Sequence, residues 1–528
     1  MAEKIVVVGG GTMGAGIALV AAKAGFDVEI VEPDQGARDR AAAAYERDAQ
    51  RSGDSSSSRR IVWKYALERS DAVLAIEAVP ERFHLKREVF AQLDEALPAP
   101  ALLATNTSSF SVAELADEVA DPRRVVGMHF FNPPQRMQLV EVVATERTGD
   151  AELESALLFV ERLGKRGIIA ADTPGFIVNR VARPYYLQSL RALELGVASA
   201  PELDALARGV GFRMGPFELM DLIGLDVNLA TSDSVFERTL AGRFEPVELQ
   251  RRMVAQGRLG RKTGAGFYEY RDGNAERLEL TVPPSAGIDE EEVVGLIGYG
   301  GRADELAEML AQSYRVVARV ETDDRLAELP ADATILIDAS DGAADRSEVL
   351  AQLDASYGAE CVIIADAYAS DLTACAARLR HSERLAGYGV LGLLSSQATI
   401  ELVDLETASD DTLELAQDIF AGIGRASILV EDVPGLFLGR TVGSIVNEAM
   451  IAVAEDVASA EDVDEAMMLG ANYPIGPVAW GREIGGARLR RILKRLADAD
   501  GEGYAPHRSL WVLDMEEAAE APSEEVTQ

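Results

Sequence analysis

The sequence predicts an open, mostly parallel α/β domain, then an all-α domain, then a reduced copy of the first and a second all-α domain. Three observations predict it. The chain opens as strand, glycine-rich turn, helix, strand, which is how a parallel α/β sheet begins. From Thr173 onward the apolar residues fall at helical spacing. Segments of the first half also recur about 260 residues later: 172–180 matches 432–440, and 88–94 matches 348–354. The expected boundaries are 1–171, 172–272, a linker at 273–290, 291–430, 431–515, and an acidic tail at 516–528.

In order, Lys4–Val8 is a β-branched run ending in glycines, and Val28–Val31 is the second strand. Further strands read at Ala72–Ile76, Ala101–Ala104, Val125–His129 and Leu139–Val142, with a helix over 83–97. The run 51–60, RSGDSSSSRR, is polar and reads as a mobile loop. Helices are expected over 176–196, 202–209 and 216–230. Residues 271–290, with Pro283, Pro284 and Gly287, read as a linker. Strands return at Val293–Ile297 and Thr334–Ile337, helices dominate from 435, and the last fifteen residues read as a frayed acidic end.

The 528 residues suit three or four domains. A net charge of −37, from 88 acidic against 51 basic residues, argues against a nucleic-acid binder. Only seven basic residues are Lys, a bias that suits high salt or a GC-rich genome. Cys361 and Cys375 make neither a disulfide framework nor a metal spacing, so reduced thiols and no metal are expected. The first strand begins at Lys4, and no apolar run approaches the roughly 18 residues of a membrane span. A cytoplasmic chain follows as the expectation.

Gly9, Gly11 and Gly14 form G-x-G-x-x-G between a strand and a helix, with Thr12 and Met13 inside the turn. The glycines allow the tight turn, backbone approach to a pyrophosphate, and close helix–strand packing. Glu32 ends the next strand. Its carboxylate can accept from a ribose 2′-hydroxyl and would repel a 2′-phosphate, and no Arg adjoins it in sequence, so NAD is expected over NADP.

Among four histidines, His84, His381 and His507 lie in polar or charged surroundings and read as surface residues. His129 ends a strand, at the edge where open α/β sheets bind ligands. Glu141 lies in an apolar strand twelve residues later, where a carboxylate is costly unless paired. A His129–Glu141 pair would be an oriented general base; the alternative is a buried His and a strand-end Glu with no catalytic role. Thr105–Ser109 follows a strand and can bind substrate or nicotinamide, or cap a helix. Asn179, in an apolar helix start, can polarise a substrate oxygen.

Together these residues resemble the L-3-hydroxyacyl-CoA dehydrogenase family. The motifs are GGGTMG, EAVPE at 77–81, NTSS at 106–109, HFFNPP at 129–134, LVEVV at 139–143, DTPGFIVNR at 172–180, MGPFELMDLIG at 214–224 and GRKTGAGFY at 260–268. The resemblance spans residues 1–270 and implies a Rossmann domain, a helical domain, and oxidation of an acyl-CoA 3-hydroxyl with hydride passing to NAD. It implies His129 as base, Glu141 as its orienting partner, and Ser108 and Asn179 on the reacting oxygen. Glu81, Lys86, Ser108, Asn132 and Lys262 fall on cofactor-contacting positions, and Gly9–Gly14 with Glu32 on the adenosine half. The stretch between Glu32 and Asp71 departs from the family in being short and Ser-rich, on the side that contributes to the CoA nucleotide.

In the second copy His129 becomes Gly389, Asn132 becomes Gly392, Asn179 becomes Gly439 and Ser108 becomes Tyr368, while Glu141 persists as Glu401. Gly298, Gly300 and Glu321 keep part of the glycine fingerprint, but Glu321 and Asp332 are too close for a further strand–helix unit. The second half therefore reads as a reduced, structural copy. The layout resembles the long bacterial form of the family, of the 3-hydroxybutyryl-CoA or 3-hydroxyadipyl-CoA type, including those of phenylacetate catabolism. The expected partners are an acyl-CoA substrate, no nucleic acid and no membrane, with the helical domains pairing as an intramolecular pseudo-dimer along apolar faces of 176–196 and 436–455 and homo-oligomers left open. The competing readings are a dehydrogenase of a free hydroxy acid or sugar acid on the same fold, and a non-catalytic NAD-binding protein.

Overall fold

The computed structural model describes residues 3–54, 56–284, 293–314, 316–340, 346–368 and 370–520. Part of the expected linker and the end of the acidic tail lie outside these residues. Strands β1 (Lys4–Val8), β2 (Asp27–Val31), β3 (Ile61–Lys64), β4 (Leu74–Glu77), β5 (Leu102–Thr105), β6 (Val125–Phe130), β7 (Leu139–Ala144) and β8 (Arg166–Ala171) form one sheet. Its order is β3-β2-β1-β4-β5-β6-β7-β8, and β7 runs antiparallel to β6. Helices α1 (Thr12–Lys23), α2 (Gln35–Ser52), α3 (Phe83–Ala96), α4 (Val112–Ala116) and α5 (Asp150–Arg162) accompany it. The central strands β1, β4, β5 and β6 are apolar runs buried on both faces, and Ile5, Val7, Ile17, Phe26, Ile76 and Phe159 share one core.

The sequence reading missed β3 because IVWK stands among polar and charged residues, where a four-residue run carries little periodicity. The stretch read as the loop 51–60 includes the end of α2 and a 3₁₀ turn at Ser57–Arg60.

Helices follow as α6 (Val178–Val181), α7 (Arg183–Glu194), α8 (Ala200–Gly209), α9 (Pro216–Ile223), α10 (Leu225–Thr239) and α11 (Glu248–Ala255). The single helix expected at 216–230 is two, because Gly224 adopts φ +102° between them, a conformation open to glycine. The second sheet holds β9 (Val293–Ile297), β10 (Val316–Val320), β11 (Ile335–Asp338), β12 (Val362–Asp366), β13 (Leu385–Gly389), β14 (Thr399–Asp404) and β15 (Ala426–Glu431), in the order β10-β9-β11-β12-β13-β14-β15. With α12 (Gly301–Ser313), α13 (Ser347–Ser356), α14 (Leu372–Ala376) and α15 (Asp410–Gly422), it repeats the first sheet without counterparts of α2 and β3. The chain closes with α16 (Leu438–Ala454), α17 (Ala460–Ala471), α18 (Pro477–Ile484), α19 (Gly486–Asp500) and α20 (Trp511–Glu520). Thus α20 enters the stretch expected to be a frayed tail.

The chain divides into two compact units. The first is Met1–Val181 with Glu237–Thr239 and Ala452–Asn472; the second is Ala182–Phe236, Leu240–Ile451 and Tyr473–Gln528. Within the first, α17 lies on β7 and β8, and the Ala171 amide donates to the Val457 carbonyl at 2.9 Å. Within the second, α8 lies on β14, and the Glu431 amide donates to the Val197 carbonyl at 3.1 Å. These are the same contact at the repeat offset. Each helical segment thus serves the sheet of the other copy.

Also within the second unit, Arg440 of α16 donates to Gln188 of α7 at 3.5 Å, and Arg243 donates to Glu448 at 2.5 Å. The face of α16 carrying Arg440, Ser444, Asn447 and Glu448 is buried yet polar. The apolar seam expected there is therefore corrected. This polar face stays buried because its charges are paired, Arg440 with Asp500 and Glu448 with Arg243.

Candidate active site

At the first turn, Gly9 has φ +104° and its amide donates to the Val31 carbonyl. A Cβ on Gly9 would lie 2.5 Å from the Ala78 carbonyl oxygen, and one on Gly14 would lie 1.9 Å from that of Gly9. No other residue fits either position. Gly11, at the N-terminal cap of α1, instead faces open space, with no atom within 4 Å of where a Cβ would stand. Thr12 beside it is exposed, and Met13 packs partly into the core.

The Glu32 carboxylate accepts from the Gly10 and Asp34 amides, each at 2.8 Å, one on each oxygen. Each oxygen keeps acceptor capacity for a ribose hydroxyl. A glycine turn opening at a helix N-terminus beside a carboxylate fits a dinucleotide without a 2′-phosphate. One expectation is corrected: an Arg does adjoin Glu32 in space. Arg38, one turn into α2, donates to the Glu32 carbonyl at 2.6 Å and to the Lys64 carbonyl, and stacks 3.5 Å from the Tyr65 ring centre. Its guanidinium is buried on these partners, so the half-buried Glu32 carboxylate is the more accessible of the two charges.

The antiparallel register of β6 and β7 sets His129 directly opposite Glu141. Side chains of such a pair share a face of the sheet. His129 Nδ1 lies 2.6 Å from Glu141 Oε2, and Oε1 accepts the Ile177 and Val178 amides at 3.0 and 2.9 Å. Glu141 is fully buried. Two amides on one oxygen leave the other to take Nδ1–H, which fixes the tautomer and leaves Nε2 with the lone pair that can accept a proton. The amides point inward because Gly175 (φ +81°) and Phe176 (φ +48°) turn the chain sharply before α6. Phe131 and Phe176 flank the imidazole at ring separations of 4.6 and 5.8 Å.

Ser108 follows β5 on a loop tied to His129's strand: the Asn106 side chain accepts the Phe130 amide at 2.8 Å. The sequence reading gave Asn106 no separate role; its position just past a strand beside β6 was the available signal. Glu81 gathers the loop, accepting the Thr107 and Ser109 hydroxyls and the Ser108 and Ser109 amides. Lys86 is buried, with Nζ 2.9 Å from Glu77 and 3.1 Å from Glu81. Glu77, at the end of β4, also takes the Thr105 hydroxyl at 2.7 Å. Lys86 therefore faces protein carboxylates, and Glu81 links it to the Ser108 loop. Asn179 sits in α6 one residue after Val178, and Asn132 is exposed just after β6. Lys262 belongs to the second unit, where it pairs with Asp226.

The pattern of the 3-hydroxyacyl-CoA dehydrogenase NAD binding domain matches residues 4–173, and that of the family's C-terminal domain matches 175–270 and again 435–525. The chain belongs to the 3-hydroxyacyl-CoA dehydrogenase family. It is 36% identical over 514 residues to 3-hydroxyadipyl-CoA dehydrogenase of Escherichia coli K12, covering 95% of this chain and 94% of that one. It is 38% identical over 281 residues to 3-hydroxybutyryl-CoA dehydrogenase of Mycobacterium tuberculosis, covering 51% of this chain and 98% of the relative. The crystal structure of 3-hydroxybutyryl-CoA dehydrogenase from Escherichia coli K12 superposes with a TM-score of 0.79 at 32% identity, covering 98% and 99% of the two chains. The chain is accordingly an NAD-dependent oxidoreductase with a Rossmann-type domain.

The His129–Glu141 pair has a filled counterpart in the second sheet. Glu401 accepts the Phe437 amide at 2.7 Å and the Leu438 amide at 3.1 Å, as Glu141 does, but its second oxygen takes the Tyr368 hydroxyl. A Cβ at Gly389, the position of His129, would lie 2.8 Å from Leu436 and 3.2 Å from the Tyr368 ring. At the adjoining strand ends, Arg302 and Arg488 converge on Asp366 at 3.2 and 2.7 Å. No imidazole fits this socket, and at the neighbouring strand end the described side chains Arg302, Asp366 and Arg488 close on one another.

Two outcomes follow. NAD should be preferred to NADP by at least about 10²-fold in kcat/KM, given a carboxylate against the extra phosphate, and fluorescence titration should count one NADH per chain; comparable constants or two equivalent sites would contradict this. Burial also pushes the Glu401 carboxyl up from 4.5 to about 7. The folded chain then holds this proton where the unfolded chain has lost it, so the stability it contributes is lost as pH rises through that window. Glu401→Gln removes the titration, and its Tm should gain on the wild type between pH 5 and 8 by about 2–4 °C. Parallel Tm–pH curves would contradict the assignment.

Proposed function

We propose that this enzyme oxidises the 3-hydroxyl of an L-3-hydroxyacyl-CoA to the ketone. The observation that carries the reading is the buried His129–Glu141 pair, whose free Nε2 is the base an alcohol oxidation needs. Gly9–Gly14 and Glu32 would hold the NAD, with Glu81, Ser108 and Asn132 toward its nicotinamide half; bound there, NAD supplies the hydride acceptor. His129 Nε2 takes the hydroxyl proton, and Glu141 stabilises the imidazolium that forms. Ser108 and Asn179 orient the reacting oxygen. In reverse, the imidazolium returns the proton to that oxygen.

The names of the relatives, 3-hydroxyadipyl-CoA and 3-hydroxybutyryl-CoA dehydrogenase, support an acyl-CoA as substrate, and we place the reaction in fatty-acid or aromatic-compound catabolism. Pairing of the helical segments within one chain supports an intramolecular pseudo-dimer. No helix among the described residues is long and apolar enough to cross a membrane, in keeping with a cytoplasmic site of action.

His129→Gln should lower kcat for acetoacetyl-CoA reduction by about 10²–10⁴ while the NADH Kd stays within about twofold, since the nucleotide contacts lie elsewhere. Retention of more than half the turnover would remove His129 from the mechanism. A wild-type enzyme that oxidises free 3-hydroxy acids as well as the CoA thioesters would favour the hydroxy-acid reading instead.

A further inference from the structure

Although it lacks a base of its own, the second half reaches the catalytic pair of the first. We infer that segment 452–472 is a brace for the His129–Glu141 pair, and that Gly470 and Glu455 are its positioning residues. The inference rests on the reading of that pair as the catalytic base.

All the contacts lie within the first compact unit. Gly470, near the end of α17, meets the start of β7 so closely that a Cβ there would stand 2.7 Å from Leu139 Cδ2 and 2.9 Å from Val178 Cγ2, with the Phe131 ring at 3.5 Å. Each contacted residue is one step from the base. Leu139 lies two residues before Glu141 on β7. Val178 donates its amide to the Glu141 carboxylate. Phe131 packs its ring on the imidazole. Val178 is β-branched and buried, with little rotamer freedom to yield, so a methyl group at 470 would move backbone that holds Glu141. Glu455 makes the second contact, pairing at 2.8 Å with the buried Arg180, the neighbour of Asn179. The second half can therefore lose its own chemistry and still be retained, because the first half's base is seated against it.

The repeat supplies an internal control. Gly209 of α8 is the counterpart of Gly470, and its Cβ would stand 1.6 Å from Thr399 Oγ1, Thr399 being the counterpart of Leu139. The steric insult is at least as severe, but it falls on the sheet that has no base.

The test compares Gly470→Ala, Gly209→Ala and Glu455→Gln in the full chain, reading kcat and KM for acetoacetyl-CoA, NADH Kd by fluorescence, and Tm. Displacements of about 1 Å remote from the chemistry can cost about 10²-fold. The expected result is a fall in kcat of about tenfold or more for Gly470→Ala, with NADH Kd within about twofold, and kcat per folded chain kept within about twofold for Gly209→Ala despite its lower Tm. Unchanged kcat in Gly470→Ala, or equal losses in the two glycine variants, would overturn the brace. If Gly470→Ala does not fold, Glu455→Gln decides, since Glu455 is half exposed and glutamine keeps its volume and an acceptor for Arg180: a fall of about threefold or more in kcat at constant NADH Kd supports the brace, and wild-type kcat overturns it. Inactive His129→Gln alongside fully active Gly470→Ala would discard the brace and leave the catalytic pair standing.

Discussion

A fully buried carboxylate on β7, one strand in from the edge of the first sheet, is the constraint around which the first half is arranged. An ionised Glu141 at full burial would be costly without compensation. It is compensated by three donors, the His129 imidazole and two amides. Each donor fixes part of the structure. The imidazole requires β7 to run antiparallel to β6 so that positions 129 and 141 oppose each other. The amides require the chain to reverse at Gly175 and Phe176 before the first helix of the next domain. One charge thus sets the sheet's reversal, the entry to α6 and the orientation of the His129 ring.

The second copy separates what the fold needs from what the reaction needs. Glu401 keeps its two amides, and Leu436 keeps the unusual φ of Phe176, at +46°. The socket therefore serves the architecture even without chemistry. A phenol, which burial pushes well above its usual titration range, fills it in place of an imidazole. The ion pair at the strand end is retained as well: Asp338 and Arg346 meet at 2.8 Å where the first copy has Glu77 and Lys86. What has gone is the histidine and the strand–helix unit between the second and third strands of the sheet. The reciprocal placement of α8 and α17 then gives each sheet a cover drawn from the other copy's helices.

Much of this was legible in the sequence because the decisive features are local. The glycine spacing, the strand-ending histidine and the lone Glu in an apolar strand each carry their chemistry within a few residues, and the repeat was visible as matched motifs. Features that depend on tertiary partners were not legible. Arg38 lies six residues from Glu32, and only the fold of α2 over β3 brings its guanidinium to the Glu32 carbonyl. Lys86 reads as a cofactor contact from its motif, yet Glu77 and Glu81 surround it. From sequence α16 reads as an apolar seam, and its buried polar face emerges only once Asp500 and Arg243 are placed against it. Gly470 carries no signal at all until Leu139 and Val178 are found beside it.

The most direct measurement is the single-turnover rate of NADH oxidation by Glu141→Gln on acetoacetyl-CoA, alongside its NADH Kd and Tm. The substitution keeps the volume and an acceptor for the two amides, and removes the charge that steadies the imidazolium. The account predicts a rate lower by about 10²-fold or more at nearly unchanged NADH affinity. A rate within about twofold of the wild type, with the fold intact, would show that the buried carboxylate serves only the architecture.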